Sequence, residues 1–399
     1  MILLISSVFP PEPVVSATVN YDLADSLSDI WEVKVITPKP TRPLGFSYEN
    51  KAPGNRKFEQ IIVDSFTCPA SRIFGRMKES YSFGKHAAKY IKEKQKEIES
   101  IYIHSWPLLG NYIIAKKAVK YSIPYIIHIV DIYPEALLRR LPFLRNTVYR
   151  LLLPFDKFAQ KNSFKVVTIS EGMKELLQKT RKLGETQIEV VNNWQNEDMF
   201  LEFNNSSHVS PGTLPFTFMY LGSLSNSASI HTLISAFHKC EIANSRLIIA
   251  GDGAEKKNLI ALASDLRVKN IEFWDAPLHK VPELQSKADV LLLSLKKGAA
   301  KIALPSKLPA YMFSGKPIIA CVDNHSDTAN AIRKAGCGWI VVPEDVDELS
   351  ATMKTVRSIS NEELLNYGSR GYNYALEHFS KRKNLDRMVS IISKMLEKE

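Results

Sequence analysis

The strongest constraint on this chain is a rhythm that stops and then restarts. Short runs rich in Ile and Val alternate with longer amphipathic runs, a polar stretch interrupts them, and the alternation resumes. In the first half, Ile2–Val8, Val33–Thr37, Ile61–Val63, Ile101–His104, Tyr125–Val130 and Val166–Ser170 are short and β-branched, which predicts strands. Ala17–Leu27, Phe83–Ile98, Asn111–Tyr121, Val148–Gln160 and Gly172–Leu177 read as helices between them. Glu202–Leu214 (EFNNSSHVSPGTL) reads as a linker. Beyond it, Phe216–Tyr220, Leu247–Ala250, Ile271–Phe273, Val290–Ser294, Pro317–Cys321 and Trp339–Val342 are predicted strands, with helices between them and a last helical region from about Asn361. Alternating strands and helices pair in parallel through right-handed crossovers.

The expected fold class is therefore α/β: two doubly wound Rossmann-like domains with a deep cleft between them. The boundaries read as 1–200, 201–375 and a helical segment 376–399 that packs back on the first domain. A chain of 399 residues exceeds the ~250–300 residues at which one hydrophobic core stops growing. The four cysteines (Cys68, Cys240, Cys321 and Cys337) form no C-x-x-C pair, so neither a disulfide scaffold nor a structural zinc is expected. The opening MILLISSVFPPEP lacks a basic region before its apolar run and reads as a buried strand rather than a signal peptide. No apolar run approaches the ~20 residues a membrane helix needs. The expected location is cytoplasmic, including peripherally on the inner face of the plasma membrane.

The net charge of +10 is partly concentrated. Arg139, Arg140, Arg145, Arg150, Lys157, Lys161 and Lys165 face only Asp156 across residues 139–165. The aromatics of this stretch are not interleaved with the charges as a base-stacking platform would require, so nucleic acid is not an expected partner. An anionic membrane surface and a plain solvated helix face both stay open.

Glycines and cations at strand ends carry the chemistry. Gly222 and Ser223 end a predicted strand before a helix, where backbone N–H groups approach an anion closely. Gly251-Asp252-Gly253 opens another such turn, but Lys256 breaks the dinucleotide fingerprint. Pro305-Ser306-Lys307 starts a helix with a cation, which opposes the helix dipole unless an anion offsets it. Asp345-Val346-Asp347 reads as a helix N-cap, and no metal site is expected. In the first half, His104-Ser105-Trp106 and His128 with Asp131 stand at the ends of neighbouring strands.

These motifs, taken in order, resemble glycosyltransferase family 4, retaining enzymes of the GT-B fold, and within it the bacterial branch that builds lipopolysaccharide and capsule. The resemblance runs through FPPE, YIIHIVDIYPE, VVTISEGMKELL, VVNNWQNEDMF, FMYLGSL, LIIAGDGAEKKNL, ADVLLLSL, PSKLPAYMFSGKPIIA and AGCGWIVVPEDVDEL. It implies a nucleotide-sugar, a UDP-sugar by preference, as co-substrate without a cofactor, and a glycan or lipid-diphosphate-linked acceptor. It places Gly222 and Lys307 on the diphosphate, with Ser223, Pro305 and Ser306 as further donor contacts, and Trp274, Asp275 and Ala276 beside the base. His128 is placed at the transferred sugar, with Asp131 of the matching D-x-x-P-E segment and Lys307 as further catalytic residues, and Ser16, Ala17, His104 and Trp106 are placed on the acceptor side, in a closing loop Pro11–Ala17 and at a strand end.

The chain departs from the family pattern at several points. The first loop reads Val14-Val15-Ser16-Ala17 in place of glycines, and the basic residue that usually follows the Gly222 turn is absent. Ile302 and Ala310 occupy the positions of the family's paired glutamates, which makes Asp327 a candidate donor contact. Two rivals stay open: a catalytically weak or silent nucleotide-sugar-binding protein, and a nucleotide-sugar epimerase, for which no acid/base carboxylates can be placed.

Overall fold

The computed structural model describes residues 1–41, 56–68, 73–105, 108–138, 145–206, 215–299 and 305–397. Trp106, Arg139, Arg140, Ile302 and residues 207–214 of the expected linker lie outside the described residues. The chain forms two compact units, Met1–Asn193 with Asn384–Glu399, and Trp194–Lys383.

The first unit holds strands β1 (Ile2–Ile5), β2 (Val33–Pro38), β3 (Glu59–Val63), β4 (Ser100–Ser105), β5 (Tyr125–Ile129), β6 (Lys165–Thr168) and β7 (Ile188–Val190). Helices α1 (Val15–Leu27), α2 (Ile73–Lys94), α3 (Leu108–Lys120), α4 (Glu135–Leu138), α5 (Arg145–Lys161) and α6 (Glu171–Arg181) connect them. The strands form one parallel sheet in the order β3-β2-β1-β4-β5-β6-β7. Every residue of β1 is buried, which suits a central strand covered on both faces. The order reverses between β1 and β4, and such a switch point opens a crevice at the strands' carboxyl ends.

The second unit repeats the plan with β8 (Phe216–Leu221), β9 (Ser245–Ala250), β10 (Ile271–Trp274), β11 (Val290–Ser294), β12 (Ile318–Cys321) and β13 (Gly338–Val341), in the parallel order β10-β9-β8-β11-β12-β13. Its switch point lies between β8 and β11. Its helices are α7 (Asp198–Ser206), α8 (Ile230–Cys240), α9 (Lys256–Asp265), α10 (Val281–Ser286), α11 (Lys307–Phe313), α12 (Asp327–Ala335), α13 (Val346–Arg357) and α14 (Asn361–His378). Helix α15 (Lys381–Leu396) starts here and belongs to the first unit from Asn384 onward.

The structure differs from the sequence reading at the linker. Residues Glu202–Ser206 are helical, because α7 is pinned by Phe200, which is 1% exposed and stacks on Phe313 at 5.9 Å. The second unit accordingly begins at Trp194 rather than at 201, and it keeps residues 376–383. The expected loop Pro11–Ala17 also ends early, since α1 starts at Val15.

One ionic cluster sets the loop after β5. Ser170 caps α6 by accepting from the Met173 N–H at 3.3 Å. At the far end of α6, Arg181 is fully buried. It donates to Asp156 Oδ2 at 2.8 Å, to both Glu135 oxygens and to the Tyr133 carbonyl at 2.6 Å. The guanidinium thus ties α5 and α6 to the segment that follows Asp131. Burial pushes the Asp156 carboxyl up to about 6, against the pull of Arg181. Breaking such a pair leaves an uncompensated buried charge, which costs about 3–5 kcal/mol. Arg181→Met should lower the unfolding free energy measured in urea by that much at pH 7 and by less at pH 5, where Asp156 takes up a proton. Equal losses at both pH values would contradict this account.

Candidate functional site

In the second unit the switch point is built from interlocking glycine turns. Gly222 follows β8 with φ 150°, and its N–H donates to the Ala250 carbonyl at 2.9 Å. A Cβ on Gly222 would lie 2.2 Å from Lys307 Cε. A Cβ on Gly251 (φ 139°) would lie 2.0 Å from the Gly222 carbonyl oxygen. Only glycine satisfies both the backbone angle and the close approach at these positions.

Lys307 is the first residue of α11, as the sequence predicts, and its conflict with the helix dipole is met locally. Its Nζ donates to the Tyr220 hydroxyl and sits 4.3 Å from that ring's centroid. A cation over an aromatic face gains up to about 2 kcal/mol where water is excluded. The Tyr220 hydroxyl in turn donates to the Ser223 carbonyl at 2.8 Å. Burial lowers the Lys307 ammonium to about 8. Beneath the turn, the buried Tyr311 hydroxyl accepts from the Leu221 N–H at 2.8 Å and reaches the Leu221 and Leu292 carbonyls at 2.9 and 3.3 Å. Tyr220 and Tyr311 escaped the sequence reading because a tyrosine in an apolar run reads as core. A half-buried ammonium among these groups, next to the Gly222–Ser223 turn, has the charge to hold an anion.

The other expected donor residues are scattered around this end of the sheet. The Trp274 indole donates to Glu272 Oε2 at 2.9 Å, with Arg246 and Lys287 over its ring at 5.8 and 5.6 Å. Exposed Asp275 pairs with Lys256 at 2.9 Å. Ala276 and Ala310 are half-buried and pack on the core. Pro305 is half-buried and Ser306 exposed immediately before α11. Asp327 is half-buried in the first turn of α12, whose N-cap is Ser326. Asp345 caps α13 by accepting from the Glu348 N–H at 2.9 Å, a structural role that leaves its carboxylate occupied.

In the first unit, His104 and His128 face each other across β4 and β5, with ring centroids 5.5 Å apart. They are 2% and 1% exposed. The Tyr102 hydroxyl lies 2.6 Å from His128 Nδ1. His128 Nε2 and both nitrogens of His104 have no hydrogen-bond partner among the described residues. Burial lowers His104 to about 4 and drives His128 well down, with His104 adding to the effect. Asp131 is half-buried just beyond β5. Ser16 is half-buried and Ala17 fully buried in the first turn of α1, so the Ala17 side chain presents nothing to a ligand.

Comparison with known proteins matches both units. The family model described as Glycosyltransferase Family 4 matches residues 16–198, and that described as Glycosyl transferases group 1 matches residues 204–374. A probable glycosyltransferase, WbjE of Pseudomonas aeruginosa, is 20% identical over 295 residues, 72% of each chain. Among solved structures, sucrose-phosphate synthase from Thermosynechococcus elongatus superposes with a TM-score of 0.73 at 16% identity, covering 100% of this chain and 99% of that one. Anabaena Alr3699/HepE, solved with UDP and glucose, gives 0.66 at 16% identity, covering 98% and 99%.

The buried histidines make an acid-stability prediction. His104 has a folded value of about 4 against 6.5 when exposed, so below pH 6.5 the unfolded chain takes up the proton first. Stability is complete above pH 6.5 and falls toward pH 4, by about 2 kcal/mol at pH 5 from His104 alone. Urea unfolding at pH 7 and pH 5 should show His104→Leu losing less stability on acidification than the natural chain. Identical losses would contradict the buried neutral state.

Proposed function

We propose a specific reaction for this chain, which belongs to glycosyltransferase family 4 and is a glycosyltransferase of the GT-B fold: transfer of a sugar from a UDP-sugar, with retention at the anomeric carbon, to a glycan or lipid-diphosphate-linked acceptor in the assembly of a bacterial surface polysaccharide. The observation that carries this reading is the Lys307 ammonium held by Tyr220 against the Gly222–Ser223 turn. The bond between the anomeric carbon and the diphosphate oxygen breaks, and the diphosphate leaves with its charge. Preorganised donors at the point where charge develops supply the largest share of such catalysis. Lys307 and the backbone amide of Ser223 take that role without a cofactor.

The acceptor hydroxyl attacks from the face the diphosphate leaves, and a phosphate oxygen takes its proton. No pair of carboxylates is required, in contrast with glycoside hydrolysis. In this reading Trp274–Ala276 and Asp327 flank the nucleoside. The family resemblance assigns the transferred sugar to Asp131 and to His128, which is neutral and whose Nε2 is buried. HepE, solved with UDP and glucose, supports the donor class by likeness of fold. The alanine at 310 favours the second reading, a protein that binds the donor without turning it over, because alanine cannot hold ribose hydroxyls.

Among the described residues no helix is long and apolar enough to cross a membrane. Helix α5 exposes Leu151 (65%) beside Arg150, which supports peripheral docking of residues 139–165 on anionic lipid, a contact that cosedimentation with anionic against neutral liposomes tests.

A thermal-shift panel of UDP-, GDP- and ADP-sugars identifies the donor, and nucleotide release from it separates transferase from silent binder. Lys307→Ala should lower kcat/KM by about 10²–10³, while unfolding in urea loses at most the roughly 2 kcal/mol of its contact with Tyr220. Since Lys307 loses its charge as pH rises through about 8, kcat/KM should fall above that value, and Lys307→Arg should abolish the fall. Unchanged turnover in Lys307→Ala would remove this residue from the mechanism.

A further inference from the structure

At the other side of the first unit's sheet lies a cavity that the donor site and the histidine pair leave unused. It encloses about 260 Å³ at the carboxyl ends of β1, β2 and β3. In sheet order β2 stands three strands from β5, so this cavity is separate from the end that carries His128. Its size falls just under the ~300–1,000 Å³ usual for small-molecule pockets, which suits one small ring rather than a nucleotide.

The lining is amphipathic. Pro10, Pro38, Pro40 and the half-exposed Ile62 present C–H surface, while Arg56 and Gln60 bring hydrogen-bonding groups. The polar groups are held in place: Arg56 donates to Gln60 Oε1, and Gln60 Nε2 donates to Thr37 Oγ1 at 2.9 Å. Glu12, 5% exposed, fixes the rim by accepting from the Thr41 N–H at 2.8 Å. Two groups are left over. Arg56 Nε and the Ser7 hydroxyl, on a residue only 5% exposed, are buried with no partner among the described residues. An unmet buried donor costs about 1–3 kcal/mol, so each such group calls for an explanation.

We propose that this cavity is a subsite for one monosaccharide ring of the acceptor, distinct from the ring that receives the transferred sugar. A sugar ring matches the site in kind, with C–H faces for the proline and isoleucine walls and oxygen atoms that accept from Arg56 and Ser7. The identity of the occupant rests on the glycosyl-transfer reading, and the cavity and its orphan donors do not.

Ligand-observed saturation-transfer NMR on the full chain tests the subsite, with methyl glycosides of glucose, galactose, mannose and glucuronic acid as probes. At least one glycoside should receive saturation from the natural chain and lose it in both Arg56→Ala and Ile62→Trp, the second of which fills the mouth of the cavity. UDP binding should be unchanged in both variants. A preference for the glucuronoside assigns an acidic ring to Arg56, and a preference for a neutral glycoside assigns hydroxyl pairing. Either result supports the subsite. No transfer to any glycoside, or equal transfer in the natural chain and both variants, overturns it. Failure of the natural chain to bind UDP would instead count against the donor reading alone.

Discussion

Lys307 can lie where it does only because residue 222 has no side chain, and residue 222 can turn as it does only because residue 251 has none. That chain of steric permissions organises the carboxyl end of the second sheet. Hydrogen bonds from Gly222 to Ala250 and from Gly251 to Trp274 carry the parallel ladder past the strand ends and bring three loops together. Tyr311 supports the turn from below, and Tyr220 holds the ammonium from the side. The result is a half-buried cation beside the Gly222–Ser223 turn, assembled before any ligand arrives. Preorganisation of this kind spares the reaction the cost of reorienting dipoles as charge develops.

The first unit solves a different problem, how to place polar groups inside an apolar sheet. Tyr102 and His128 pair with each other, so one imidazole nitrogen is fixed and the ring orientation with it. Arg181 fixes the segment after β5 from the opposite direction by binding Glu135, Asp156 and a backbone carbonyl at once. Both devices concentrate buried polarity around one strand end, where the sugar-facing residues of the proposed reaction stand.

Much of this fold was legible in the sequence, because buried parallel strands are short Ile/Val runs and the helices between them are amphipathic. Strands β1, β5 and β11 and helix α1 follow that pattern directly. Strand β7 was missed, since three residues carry no period, and α7 was read as linker because its Asn and Ser residues outweigh Phe200. In the site, Gly222 and Lys307 announced themselves by local conflict, a glycine at a strand end and a cation at a helix start. Tyr220, Tyr311 and Arg181 did not. Their roles come from contacts made across about 90, 90 and 46 positions of sequence, which no local pattern records.

Where a diphosphate binds is the most direct test of the donor site. A crystal structure of the chain grown with UDP should place phosphate oxygens within hydrogen-bonding distance of Lys307 Nζ and of the Ser223 amide. Phosphates bound elsewhere, with Lys307 still turned onto Tyr220 alone, would contradict it.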